Sequence, residues 1–137
     1  MYAGWLIRVV AATVLLAGCA TLDRGSYHGV VMDNKGPERI YDIRVLYGDF
    51  SIPRVPRALG RGSGTHYNDQ LRVPDEATIQ WRSERQENRV VVPIRRHIPN
   101  AAFFDGDIIF EINGDHVRVL ERRQSAGFPT RVIYDSR

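Results

Sequence analysis

Ile108-Ile109-Phe110-Glu111-Ile112-Asn113-Gly114-Asp115-His116-Val117-Arg118-Val119 is the stretch on which the fold turns. Asn113-Gly114 is a residue pair that tolerates the positive φ angles of a type I′ turn, so the chain is expected to double back there as a two-residue β-hairpin. That loop sets Ile112 opposite Asp115, Glu111 opposite His116, Phe110 opposite Val117 and Ile108 opposite Val119. One side then carries Ile108, Phe110, Val117 and Val119, and the other carries Glu111, His116 and Arg118. A single apolar face is what a sheet packed on a core requires. His116 is read as the cross-strand partner of Glu111, a pairing worth a few tenths of a kcal/mol.

Outward from the hairpin, the same period of two recurs. Tyr41, Ile43, Val45 and Tyr47 alternate with Ile40, Asp42, Arg44 and Leu46, the pattern of a half-buried strand. Ala77, Ile79 and Trp81 alternate with Thr78, Gln80 and Arg82, and Val90-Val91-Val92 follows a polar Ser83–Asn88 turn as an antiparallel neighbour. Tyr27–Met32 reads as a first strand, ended by the turn residues Asp33-Asn34-Lys35-Gly36-Pro37, and Thr130–Tyr134 as a last one. No stretch beyond the amino-terminal segment keeps a helical apolar period over eleven or more residues. The expected fold is therefore all-β, an antiparallel β-sandwich of immunoglobulin-like or transthyretin-like kind. Residues 53–76, with three prolines and three glycines, are expected as a long connection with an edge strand near Thr65–Gln70. In His97–Gly106, Phe103 and Phe104 are expected to tuck under the sheet edge. Tyr41 and Tyr47 close one apolar stripe, where their hydroxyls are expected to reach water.

The chain has 137 residues, 43% of them hydrophobic and 26% charged, which suits one folded domain and no more. Its net charge of +3 falls to +2 without residues 1–18, whose only charged side chain is Arg8. That is too little to imply nucleic acid. A single cysteine rules out an internal disulfide.

The amino-terminal segment has the order of a secretory signal. A positive start with Arg8 is followed by an apolar run from Val9 to Leu16 and by small residues Ala17 and Gly18 directly before Cys19. The run is shorter than the roughly 18–20 residues a spanning helix needs. Leu16-Ala17-Gly18-Cys19 resembles the lipobox of bacterial lipoproteins at all four positions. The resemblance implies acylation of the Cys19 thiol, palmitate being among the expected chains, removal of residues 1–18 as a signal peptide, and anchoring in a membrane. Two or more acyl chains hold a protein where one binds only reversibly. By the same resemblance, Ala20, where an aspartate would retain the protein at the inner membrane, points to the periplasmic face of the outer membrane. Residues 19–26 are expected as lipidated cysteine and tether, reaching at most ~23 Å, and residues 27–137 as one domain. The mature body also looks like small uncharacterised lipoproteins with a proline-led loop before a Trp-bearing strand, a likeness that carries no activity.

Few groups in that body invite chemistry. Arg54, Arg57 and Arg61 in the long connection and Arg95 and Arg96, with His97, would make an anion-binding patch for phosphate or carboxylate if they converge. Solvated turns are the plainer reading. Gly60-Arg61-Gly62-Ser63-Gly64 has the spacing of neither a phosphate loop nor a nucleophile elbow. His28, His66, His97 and His116 share no close metal-ligand spacing, so no metal or other cofactor is expected; a cross-strand site from His66, His97 or His116 with a nearby acid is the exception to be tested. Asp75-Glu76 reads as a turn, and Asp105 and Asp107 flank Gly106 at a strand entry. The expectation is a noncatalytic envelope module that binds or braces a protein or an anionic envelope component. The alternatives are an immunity-type or inhibitor lipoprotein against a periplasmic toxin or hydrolase, and a small envelope hydrolase.

Overall fold

The computed structural model describes residues 25–124, 127 and 130–137. Cys19 and the expected signal segment lie outside these residues. The described chain is an all-β sandwich of ten strands: β1 (Ser26–Asn34), β2 (Ile40–Tyr47), β3 (Phe50–Ser51), β4 (Ala58–Leu59), β5 (Gly64–Leu71), β6 (Glu76–Arg82), β7 (Glu87–Pro93), β8 (Gly106–Asn113), β9 (His116–Arg123) and β10 (Thr130–Asp135). One sheet runs in the order β10-β9-β8-β1-β5 and the other β3-β2-β6-β7, with β4 also paired to β2. Every pairing is antiparallel except that of β1 with β8, which is parallel. Two short 3-10 turns, Arg95–His97 and Ala101–Phe103, connect β7 to β8. Among the described residues no helix is long and apolar enough to cross a membrane.

Alternation builds the core. Val30 and Met32 from β1, Ile108, Phe110 and Ile112 from β8, and Val117 and Val119 from β9 face Ile43, Val45 and Tyr47 from β2 and Ala77, Ile79 and Trp81 from β6, all of them buried. Ile109 and Leu120 are also buried but point to the outer face of the first sheet. They stand side by side in the row flanked by Asp107 with Arg122 and by Glu111 with Arg118, so long charged side chains cover them.

The hairpin has the expected faces and a different register. Asn113 pairs with His116, Ile112 with Val117, Glu111 with Arg118 and Phe110 with Val119. Gly114 takes the positive φ of 65° as the first central residue, as in a type II′ turn, and Asp115 is the second. The two-residue shift keeps each side chain on its face, because the strand period is also two. It changes the partners: Arg118, not His116, binds Glu111, at 2.6 and 3.0 Å. In β2 a bulge at Asp42, where φ is 50°, shifts the register between Tyr41 and Arg44. Ile40 is buried as a result, although strict alternation from Tyr47 would turn it outward. Phe104 is fully buried as expected, but its neighbour Phe103 is 83% exposed.

Two polar clamps join the sheets at opposite ends. At the hairpin end the Trp81 indole N–H donates to the Gly114 carbonyl at 2.9 Å. At the end where β1 begins, His28 Nε2 meets the Tyr47 hydroxyl at 2.9 Å. The Tyr47 hydroxyl, expected at the surface, is therefore spent inside. Asn34, expected only as a turn residue, is a buried hub at the hairpin end. Its side-chain amide donates to the Glu38 and Leu59 carbonyls at 2.7 and 3.0 Å, and its side-chain oxygen accepts from Gly36 N–H at 3.0 Å.

Candidate functional site

Three places bring polar chemistry together. The first lies on the outer face of the first sheet, where Gly29, Asp107 and Arg122 stand in one row across β1, β8 and β9. His66, two residues along β5 from Asn68, the partner of Gly29, reaches over Gly29 to join them. His66 Nε2 lies 3.1 Å from Asp107 Oδ1, and Arg122 donates through two nitrogens to Asp107 Oδ2. Gly29 makes the bridge possible, because a Cβ there would stand 2.1 Å from Asp107 Oδ1 and 2.3 Å from His66 Nε2. The structure thus joins two residues singled out in the sequence. Both oxygens of Asp107 are committed, one to His66 and one to the arginine fork. The array ties β5, β8 and β9 together across Gly29 and leaves Asp107 a charge-neutralised carboxylate.

The second place is the buried clamp at the start of β1. His28 Nδ1 lies 3.0 Å from the Ser26 carbonyl oxygen, which can only accept. Nδ1 therefore carries the proton, and Nε2 accepts from the Tyr47 hydroxyl. The Phe104 ring meets the imidazole edge-on at 5.4 Å, and the Arg123 guanidinium stands 5.2 Å from the other partner of that stack, the Phe104 centroid. Burial lowers the His28 pKa, opposed more weakly by the Ser26 hydrogen bond and by Asp107, and burial likewise raises that of Tyr47.

This shift has a sign that can be tested. Above pH ~6.5 the imidazole is neutral folded or unfolded, so it contributes no pH dependence. Below that value the unfolded chain takes up a proton that the folded chain resists, and stability falls by up to about 1.4 kcal/mol per pH unit until the folded imidazole also titrates. Urea midpoints measured from pH 7.5 to 5 should fall for the parent and fall less steeply for His28→Gln; parallel profiles would show that His28 is not the group responsible.

The third place is an open groove of about 940 Å³ between β5 and the β2–β3 turn. Tyr47, Leu71 and Val73 line it with apolar surface, and Asp49, Asp69, Asp75 and Glu76 bring carboxylates to it beside Arg72 and Arg95. The Tyr67 hydroxyl on β5 donates to Asp69 at 2.8 Å, which holds the Asp69 carboxyl below its ordinary pKa.

The expected arginine patch is distributed rather than gathered. Arg57 sits where its carbonyl accepts from Asp42 N–H, and Arg61 lies in the turn whose Gly62 N–H donates to Asn34; both positions are at the hairpin end. Arg95 donates to the Val73 carbonyl at 2.9 Å beside the groove, and Arg96 contacts His97 at 3.1 Å. The span of β2 from Tyr41 to Tyr47, about 20 Å at the rise of a strand, separates the two sets. Arg54, at a φ of 58°, stands near Tyr67, whose pKa its charge lowers slightly against larger opposing effects. His97 is tied by its carbonyl to Arg131 at 2.8 Å, and His116 accepts from Arg137 at 3.0 Å. Among the described residues no group of three or more His, Cys, Asp or Glu could hold a metal ion.

Compared with models of protein families, with curated proteins and with solved structures, the chain matches none.

Proposed function

We propose that this chain is a lipid-anchored protein of a bacterial envelope whose β-sandwich is a noncatalytic binding or bracing module facing the periplasm. The observation that carries the reading is Leu16-Ala17-Gly18-Cys19 at the end of an apolar run, with β1 beginning only seven residues later at Ser26. A signal followed at once by a folded strand leaves little chain for any role other than attachment. Ala20 favours the outer membrane, by resemblance to the lipoprotein class. The groove beside β5 is the surface offered for binding: it is concave, partly apolar and rimmed by both signs of charge, the mixture by which protein surfaces recognise partners. The His66–Asp107–Arg122 array, which links three strands of one sheet, supports the bracing part of this reading.

Cys19→Ser tests the attachment directly. The parent is expected to fractionate with membranes, to take up an alkynyl palmitate label and to lose residues 1–18. The variant is expected to lose the label and to leave the membrane fraction after detergent-free lysis. Label retained on the variant, or a parent that is never labelled, would refute the anchor.

A further inference from the structure

The five most exposed large apolar side chains among the described residues are not scattered evenly. The two extremes, Phe103 at 83% and Tyr27 at 71% exposed, both lie at the end of the sandwich where β1 begins. Tyr27 is the second residue of β1, and Phe103 precedes β8, which runs parallel to β1 with Asp107 beside Gly29. Phe104 packs on His28, so the Phe103 corner adjoins the start of β1. Isolated exposed aromatics need no explanation; two at the end that receives the tether do.

The same corner is basic. Arg96 is exposed in the 3-10 turn, and Arg123 and Arg131 reach across to the Pro99 and His97 carbonyls that flank it. The carboxylate nearest to them, Glu121, is buried and bonded to both arginines. Asp105, two residues from Phe103, and Asp107, held by His66 and the Arg122 fork, are the other acids on this side among the described residues. Arg96, Arg122, Arg123 and Arg131 still outnumber the carboxylates here, while Asp49, Asp69, Asp75 and Glu76 line the groove on the β5 side. The end is therefore divided, with an aromatic and basic corner on one side and an acid-rimmed groove on the other.

We propose that the Phe103 corner rests on the lipid surface, with Phe103 and Tyr27 entering the interfacial layer and Arg96 on the headgroup phosphates, so that the groove stands open at the membrane edge. The inference rests on acylation of Cys19. Six residue steps from Cys19 to Gly25 span at most about 20 Å, so the acyl chains hold this end, and no other, within reach of the bilayer. Aromatic rings favour the headgroup level, and arginines near an anionic leaflet add attraction.

Phe103→Trp in the full acylated chain provides the probe. After signal removal Trp81 is the only other tryptophan, buried at the far hairpin end, and so serves as the internal control. In vesicles of phosphatidylethanolamine and phosphatidylglycerol, brominated acyl chains are expected to quench the Phe103→Trp emission several-fold more than the parent's. Adding Arg96→Gln, or omitting phosphatidylglycerol, should cut that quenching by half or more. Quenching equal to the parent's, with the mass of the acylated protein confirmed, would overturn the docked corner and leave the anchor standing. A chain that is neither acylated nor bound to vesicles would overturn both.

Discussion

Trp81→Ala is expected to cost about 3–5 kcal/mol of stability, the range for truncating a large buried aromatic. Trp81 is 2% exposed in the core between β2 and β7, and its indole N–H is the donor that ties β6 to the tip of the β8–β9 hairpin. The variant therefore opens a cavity and leaves the Gly114 carbonyl without its partner. Against a typical total of about 5–15 kcal/mol, and at roughly 3–6 °C per kcal/mol for a domain of this size, thermal melting followed by circular dichroism should drop by about 10–30 °C. Trp81→Phe keeps most of the volume and loses the donor, so it should fall between. A loss below about 1 kcal/mol for the alanine variant would mean that the two sheets do not close on Trp81.

Asn34→Ala should come next, at about 3–4 kcal/mol, although it removes only a short polar side chain. Three hydrogen bonds disappear together, two to the Glu38 and Leu59 carbonyls and one from Gly36 N–H. Each buried group left without a partner costs about 1–3 kcal/mol, with the Glu38 carbonyl at the low end because water can reach it. Asn34→Asp is the sharper control. It keeps the acceptor for Gly36 but aims a carboxylate at two carbonyl oxygens, so it should be no more stable than the alanine variant. Denaturant unfolding gives the loss, and hydrogen exchange at the Gly36 amide should accelerate in Asn34→Ala and stay closer to the parent in Asn34→Asp.

These two residues also show what the sequence discloses. The strand at Ile40–Tyr47, the strand through Trp81 and the hairpin faces follow from a period of two, because burial on one side of a pleat leaves that trace in composition. Partners are less legible. Asn113 and Gly114 both accept positive φ, and which of them does so shifts the hairpin register by two while leaving the alternation unchanged. The bulge at Asp42 is likewise silent, since an extra residue in one strand is answered only by the strand beside it. Nothing local announces that β1 lies parallel to β8, or that Phe103 faces out while Phe104 faces in. The candidate site is the least legible part. His66 and Asp107 lie 41 residues apart, with no spacing to connect them. The signal that could have found them is Gly29, a glycine amid an otherwise well-formed strand, which often marks a close approach across the sheet.

The place of β1 has a mechanical consequence. β1 is hydrogen-bonded on both sides, to β5 and to β8, and the chain leads into it from the amino terminus. A pull on that terminus is directed along a strand clamped between two ladders, which must slide past many bonds at once instead of unzipping one bond at a time from an edge. Resistance to such a load is set by the rate of that rupture rather than by equilibrium stability, so β1 is built to take strain arriving from the amino-terminal side before the rest of the sandwich feels it.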